Sequence, residues 1–237
     1  MPEARRLQYI KTITPKTIFG VMVFMLCLSS WFGLASPNHN LILQLAQQRY
    51  GTNAVKTVTA WQSLIRTSAT ITERDKLVEI NRFFNRHIRF QNDQQIWGKS
   101  DYWATPLETM GRAQGDCEDF SIAKYVSLLL ADVPLKKLRL VYVKARIGKP
   151  SLGLTQAHMV LAYYPTPNAM PLILDNLNPE ILPASKRRDL IPIFSFNSAG
   201  LWIQGQTKSV GSAEKRLSRW RNVLFRLQKE GFDYAKG

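Results

Sequence analysis

The feature that most limits how this chain can fold is a change of period. Up to Val133-Pro134 the apolar residues recur at helical spacing, and from Leu138 onward they fall into short runs rich in β-branched and aromatic residues. Helices followed by strands, rather than alternating with them, describe an α+β domain. In the first half, 41–68 reads as helical with a break near Gly51-Thr52-Asn53. A second helix opens at Thr72-Glu73-Arg74-Asp75, a capping box with Asp in the place of Glu or Gln. Leu77, Ile80, Phe84 and Ile88, joined by Phe83, carry it to about Phe90. The stretch 91–113 holds Gly98, Pro106 and Gly111 and reads as an irregular loop, yet it carries Trp97, Tyr102 and Trp103, so it folds over either core or a cleft. Gly115-Asp116 then offers a stop and an N-cap, which makes Cys117 the first residue of a helix buried along Phe120, Ala123, Tyr125, Val126, Leu129 and Leu130. Strands are predicted at 138–145, 157–164 and 171–177, the last two as an antiparallel hairpin, with 201–207 as an edge strand. Leu217, Trp220, Leu224 and Leu227 mark a basic amphipathic helix near the C-terminus.

Residues 1–35 read as a targeting segment. Arg5, Arg6, Lys11 and Lys16 form a basic start, and Thr17 to Ala35 carries no charge. Gly33-Leu34-Ala35 sets small residues three and one positions before a possible cut at Ser36. The apolar run is also about long enough to span a bilayer, so a cleaved signal peptide and a retained signal anchor both fit. Either sends residues 36–237, enough for one domain with a sizeable core, into the periplasm, with membrane contact only through the N-terminal segment. The net charge of the chain is +15; without residues 1–35, 28 basic residues face 16 acidic ones, a net +12. Export and the lack of an aromatic-basic recognition motif exclude nucleic acid as the partner. An anionic surface, an acidic partner or substrate, and solubility alone each fit the charge.

After residue 35 the only cysteine is Cys117, so the exported part has no internal disulfide, and a lone thiol there is either buried or used. It sits in "QGDCEDFS" (114–121) between Asp116, Glu118 and Asp119. Carboxylates disfavour a thiolate, so Cys117 is an inert thiol or something positive is missing. A thiol nucleophile needs a base, and the base an orienting group. His39 lies in the connector and His87 on a helix, whereas His158 lies in a strand between Ala157 and Met159. Asp175 ends the apolar run Leu172-Ile173-Leu174, where a carboxylate wants a partner. From a turn centred near 168, His158 is ten residues before and Asp175 seven after, an offset that a bulge or loop asymmetry can absorb. Plainer roles stay open: a satisfied core histidine, a turn-starting aspartate, and acids that cap a helix.

The stretches "WATPLETMGRAQGDCEDFSIAKYVSLLLADVP" (103–134), "QAHMVLAYYP" (156–165) and "LILDNLNPEI" (172–181), with "INRFFNRHIRFQNDQQIWG" (80–98) upstream, closely resemble the bacterial transglutaminase-like cysteine proteinases and, within them, the LapG-type periplasmic adhesin proteases. The resemblance covers about 36–205. It implies a papain/transglutaminase-like fold and a catalytic triad of Cys117, His158 and Asp175. The implied reaction is hydrolysis of a peptide bond near the N-terminus of a large surface adhesin, releasing biofilm cells. It further implies dependence on Ca²⁺ held by Asp116 and Glu118, with Asp119 in the same cluster, which supplies the missing positive charge. The implied regulator is an inner-membrane receptor responsive to cyclic di-GMP. For the oxyanion hole, the Cys117 N–H is a natural donor at a helix start, with Trp103 Nε1–H or the Gln114 amide as candidates for the second. Three rivals are a transglutaminase-like acyltransferase using an amine instead of water, a non-catalytic periplasmic binding module, and an anionic-surface binder acting through the basic C-terminal helix.

Overall fold

The computed structural model describes residues 37–149, 153–204, 206 and 208–232. The targeting segment at 1–35 and the possible cut at Ser36 lie outside the described residues. Among the described residues no helix is long and apolar enough to cross a membrane.

Helices α1 (His39–Tyr50) and α2 (Thr52–Ser68) meet at Gly51, whose φ of 81° and ψ of −170° suit only glycine. Helix α3 (Glu73–His87) starts as expected, with Thr72 Oγ1 accepting from Asp75 N–H at 3.2 Å. It stops at His87 rather than Phe90. Arg89 and Phe90 instead form β1 (Arg89–Phe90), which pairs in parallel with β2 (Gln114–Gly115). The loop expected at 91–113 contains two short helices, α4 (Asp93–Trp97) and α5 (Pro106–Arg112). The breakers there act as punctuation: Gly98 is a left-handed C-cap, and Pro106 opens α5 behind a capping box of Thr105 and Glu108.

Helix α6 (Cys117–Leu130) follows as the spacing predicted, capped by Asp116. The sheet consists of β3 (Leu138–Arg146), β4 (Thr155–Tyr163), β5 (Leu172–Leu174), β6 (Leu182–Pro183), β7 (Leu190–Asn197) and β8 (Gly200–Ile203), all antiparallel to their neighbours in the order β6-β5-β4-β3-β7-β8. Strand β7 was not legible because Pro192 interrupts "LIPIFSFN". The ladder accepts it through a register shift at Tyr142/Val143, next to the Val143–Pro192 pair. Helices α7 (Ala213–Arg216) and α8 (Ser218–Lys229) close the described chain.

Alternation along the strands sorts the sheet into two faces. Leu138, Leu140, Met159, Leu161 and Leu174 join the main core with Trp61, Phe84, Phe120, Val126 and Trp220, while Val141, Val143, Val160, Ala162 and Ile173 form a smaller cluster on the other face. This is the expected α+β arrangement of helices against an antiparallel sheet. The apolar face of α8 (Trp220, Val223, Leu227) is buried in that core.

Candidate active site and metal centre

The start of α6 is organised by Asp119, which is fully buried. Its Oδ1 accepts from Ala104 N–H at 2.7 Å and its Oδ2 from Asp116 N–H at 3.3 Å. The carboxylate therefore ties the Trp103-Ala104 segment to the residue before the cysteine. Gly115 makes this possible, since a Cβ there would stand 2.8 Å from Asp119 Cβ and 3.0 Å from Oδ2. The spacing G-D-C-E-D thus has a steric reason before any chemistry is considered.

Cys117 is partly buried and its thiol donates to Glu118 Oε2 at 2.9 Å. Burial, and after it the Glu118 charge, push the thiol well above its ordinary range. Cys117 and His158 line the same cleft of about 540 Å³, together with Trp103, Glu118, Met159 and the stacked pair Tyr142 and Phe194 (centroids 5.2 Å apart, 10° between planes). No hydrogen bond joins the thiol to the imidazole in this structure.

His158 and Asp175 do meet. The ladder pairs Leu161 with Leu174, so the residue directly opposite His158 would be 177; Asp175 is two short of it and on the same face. Such diagonal neighbours are within reach of long side chains. His158 Nε2 lies 2.8 Å from Asp175 Oδ1, with both residues buried. Leu177 N–H also donates to Oδ1 (3.1 Å), Arg187 Nη2 donates to Oδ2 (2.7 Å), and Lys124 Nζ (3.0 Å) and Asn85 Nδ2 (2.9 Å) donate to the Asp175 main-chain oxygen. Burial works to raise this carboxyl, but the hydrogen bond and charge of His158 and the hydrogen bond from Arg187 outweigh it and hold it at about 2. An ionised Asp175 accepts from Nε2–H, which leaves Nδ1 as the lone-pair nitrogen of the neutral ring.

The acidic cluster is larger than the sequence indicated. Carboxylate oxygens of Asp93, Asp116 and Asp119 lie within 4.8 Å of one another, as do those of Asp93, Asp101 and Glu118. Asp93 Oδ1 and Asp116 Oδ1 are buried with no hydrogen-bond partner. Burial raises Asp93 to about 6. Burial, then the charges of Glu118, Asp119 and Asp93, raises Asp116 to about 10. Crowded carboxylates with unsatisfied inward oxygens fit a hard divalent cation such as Ca²⁺, which takes several oxygen ligands. Of the expected ligands, Asp116 lies within the same 4.8 Å of Glu118, in a group that includes the Cys117 thiol, and groups with Asp119 alongside Asp93; Asp119 also accepts from two backbone N–H groups.

Of the two candidate oxyanion donors, Trp103 lines the cleft. Gln114 pairs with Arg89 in β2 and does not line it. Sequence reasoning missed Asp93, Asp101 and Arg187. Asp93 follows the N-cap Asn92 and looks like an ordinary first-turn acid; only the aromatic-rich loop around it signalled a cleft. The C-terminal segment, read only as a basic amphipathic helix, contributes Arg216, Leu217, Ser218 and Arg219 to the cleft wall, and Arg219 Nη2 pairs with Asp101 Oδ2 at 2.9 Å.

Comparison with known proteins agrees with this geometry. Residues 48–207 match the family described as bacterial transglutaminase-like cysteine proteinase BTLCP. Among solved structures, Legionella pneumophila LapG is 40% identical, covering 81% of this chain and 99% of that one with a TM-score of 0.68. An EGTA-treated form of it matches over the same spans at 40% identity with a TM-score of 0.69. A calcium-bound form matches at 40% identity over 80% of this chain and 98% of that one, TM-score 0.68. No curated protein sequence matches the chain.

Proposed function

Because the chain belongs to the bacterial transglutaminase-like cysteine proteinases, we propose that it is a calcium-dependent periplasmic endopeptidase acting through Cys117, His158 and Asp175. The observation that carries this reading is the buried His158–Asp175 pair in the cleft that Cys117 lines. In the first step His158 Nδ1 takes the thiol proton as Sγ attacks the scissile carbonyl carbon. Asp175 holds Nε2–H and stabilises the imidazolium so formed. The imidazolium then gives its proton to the departing amine, leaving a thioester on Cys117. Water attacks the thioester while His158 again takes the proton, and the acid product and the thiol are restored. The Cys117 N–H, at a helix start, is the proposed oxyanion donor.

Asp93, Asp116 and Glu118 would hold Ca²⁺, with Asp101 and Asp119 at the margins of the same cluster. When bound, the ion supplies positive charge beside the thiol and a partner for the unpaired carboxylate oxygens. Glu118, which accepts from the Cys117 thiol at 2.9 Å, would as a calcium ligand have its charge offset and so oppose the thiolate less.

The substrate is a large surface adhesin cut near its N-terminus, with biofilm cells released, as the likeness to LapG supports. Residues 36–237 form the protease, delivered by residues 1–35 as signal peptide or anchor, and a cyclic-di-GMP-responsive inner-membrane receptor is the regulator. The test is cleavage of the N-terminal region of an adhesin encoded in the same genome by residues 36–237. Cleavage abolished by both chelator and Cys117→Ala is the expected result. Cleavage that survives Cys117→Ala refutes the nucleophile, and incorporation of an added amine without hydrolysis makes the protein an acyltransferase.

A further inference from the structure

Arg187 lies in the connector between β6 and β7, twelve residues after Asp175, and is 4% exposed. Its guanidinium spans two carboxylates. Nη2 donates to Asp175 Oδ2 at 2.7 Å and to Asp189 Oδ2 at 2.8 Å, and Nε donates to Asp189 Oδ1 at 3.0 Å. A buried guanidinium is costly to desolvate and is retained where its planar fork is used. Here the Nε–Nη2 edge is anchored by the half-exposed Asp189 and Nη2 also meets the carboxylate oxygen that His158 does not use, while Nη1 is buried without a partner.

We propose that Arg187 is a positioning residue of this active site: it locks the Asp175 carboxylate as the anion that faces His158, and Asp189 locks Arg187. The proposal rests on the triad reading and adds two residues to it. The physical reason is where the proton goes. An Asp175 without a cationic partner on Oδ2 competes with the imidazole for the proton taken from Cys117. With Arg187 donating to Oδ2, the proton stays on the ring, from which it reaches the leaving amine. With His158 neutral, the set of His158, Asp175, Arg187 and Asp189 carries one net negative charge, and the imidazolium makes it neutral; without Arg187 the neutral-ring set would carry two negative charges and would hold the proton more tightly. The other groups against Asp175 are Lys124 from α6 and Asn85 from α3, and both address its main-chain oxygen rather than the carboxylate.

A scaffold role and a positioning role separate by sign. Arg187→Gln removes a positive charge from the set and should move the midpoint of the His158 ring titration up by about one pH unit. Asp189→Asn removes a negative charge and should move it down by less, because Asp189 is half exposed and screened. Arg187→Lys keeps the charge, so its midpoint stays near that of the wild type. It loses the fork, and kcat falls with KM unchanged. The titration is read by NMR on the full chain at saturating calcium. With three histidines in the chain, His39→Gln and His87→Gln identify the His158 signal. Lys124 is common to every variant, so differences between curves isolate Arg187.

Arg187→Gln is expected to lower kcat by about 30-fold or more, and far less when Asp175→Asn is already present, since a residue acting through Asp175 has nothing left to orient. Should Arg187→Gln fail to fold, the downward shift of Asp189→Asn and the kcat loss of Arg187→Lys carry the test. Midpoints that do not move, or that move the same way in both charge variants, overturn the proposal while adhesin cleavage still stands. Opposed shifts in a protein that cleaves no adhesin uphold Arg187 and remove the protease reading instead.

Discussion

Two groups of buried aspartates flank the cleft, and they are in opposite condition. On the sheet side Asp175 is 1% exposed, both of its oxygens have donors, and its carboxyl is held down at about 2. At the helix start Asp93 and Asp116 each present a buried oxygen with no donor, and their carboxyls are pushed up to about 6 and about 10. Burial acts the same way on all three, so the difference lies in partners. One group is finished by the protein itself. The other is left with buried oxygens that the protein does not pair, and a solved relative has a calcium-bound form.

The largest effect should come from breaking the finished side. Asp175→Asn should lower kcat by about 10³–10⁴-fold, because the ring loses the acceptor that fixes its tautomer. It should also destabilise the fold by about 3 kcal/mol, since Arg187 loses a buried counter-charge. Steady-state kinetics and urea unfolding measure the two. The same change on the unfinished side should have the opposite sign: with chelator present, Asp93→Asn should stabilise the protein by about 1 kcal/mol, because it removes a charge from a crowded buried cluster. With calcium present it should destabilise, because a ligand is gone. Equal losses from both variants in chelator would mean that the two groups do not differ as described.

The two sides also respond in different pH windows. The raised carboxyls of Asp93 and Asp116 contribute stability that is full below about pH 4, where the unfolded groups are protonated, and lost as pH rises through about 6 and then about 10. The depressed Asp175 contributes stability that is full above about pH 4 and lost as pH falls through about 2. Between pH 5 and 8 only the first group titrates, so the melting temperature in chelator should fall across that interval. Calcium should restore more at pH 8 than at pH 5, since its ligands must be deprotonated. At a hundred times its dissociation constant it adds about 2.7 kcal/mol. Calorimetric melts with and without chelator read both trends, and a flat profile in chelator would show that the cluster is not strained.

This asymmetry also explains what could be read in the sequence. The Cys117 helix and the hairpin were legible from periodicity, whereas the pairing of His158 with Asp175, left open by the residue count across the turn, came with the family resemblance. Strand β7 was hidden by Pro192, and the 91–113 loop was misjudged because Gly98 and Pro106 mark helix ends as readily as loops. Arg187 and Asp93 were invisible for a different reason. Each reaches its partner across the fold, Arg187 from a connector beyond β6 and Asp93 from a helix of five residues, and no local spacing encodes such an approach. Asp119 shows the converse. The motif suggested a ligand, and its carboxylate does lie with those of Asp93 and Asp116, but its oxygens also accept from Ala104 N–H and Asp116 N–H, so part of the motif's regularity is structural.

The smallest predicted effect locates the cation within the cluster. Asp93 belongs to both all-carboxylate groupings and is 3% exposed, whereas Asp101 belongs to one, has a side chain 38% exposed, and is engaged by Arg219. A half-exposed carboxylate with an arginine on it offers a cation less than a buried one with a free oxygen, because the arginine must yield and water screens what remains. Asp101→Asn should therefore weaken calcium binding only about threefold, against about tenfold or more for Asp93→Asn, as measured by titration calorimetry. Arg219→Gln should tighten binding slightly by freeing Asp101. If Asp101→Asn proves the costlier change, the ion sits at the rim with Glu118 and Asp101. The unpaired oxygens of Asp93 and Asp116 would then need some other partner, and the contrast between the finished and unfinished sides would have to be redrawn around Glu118.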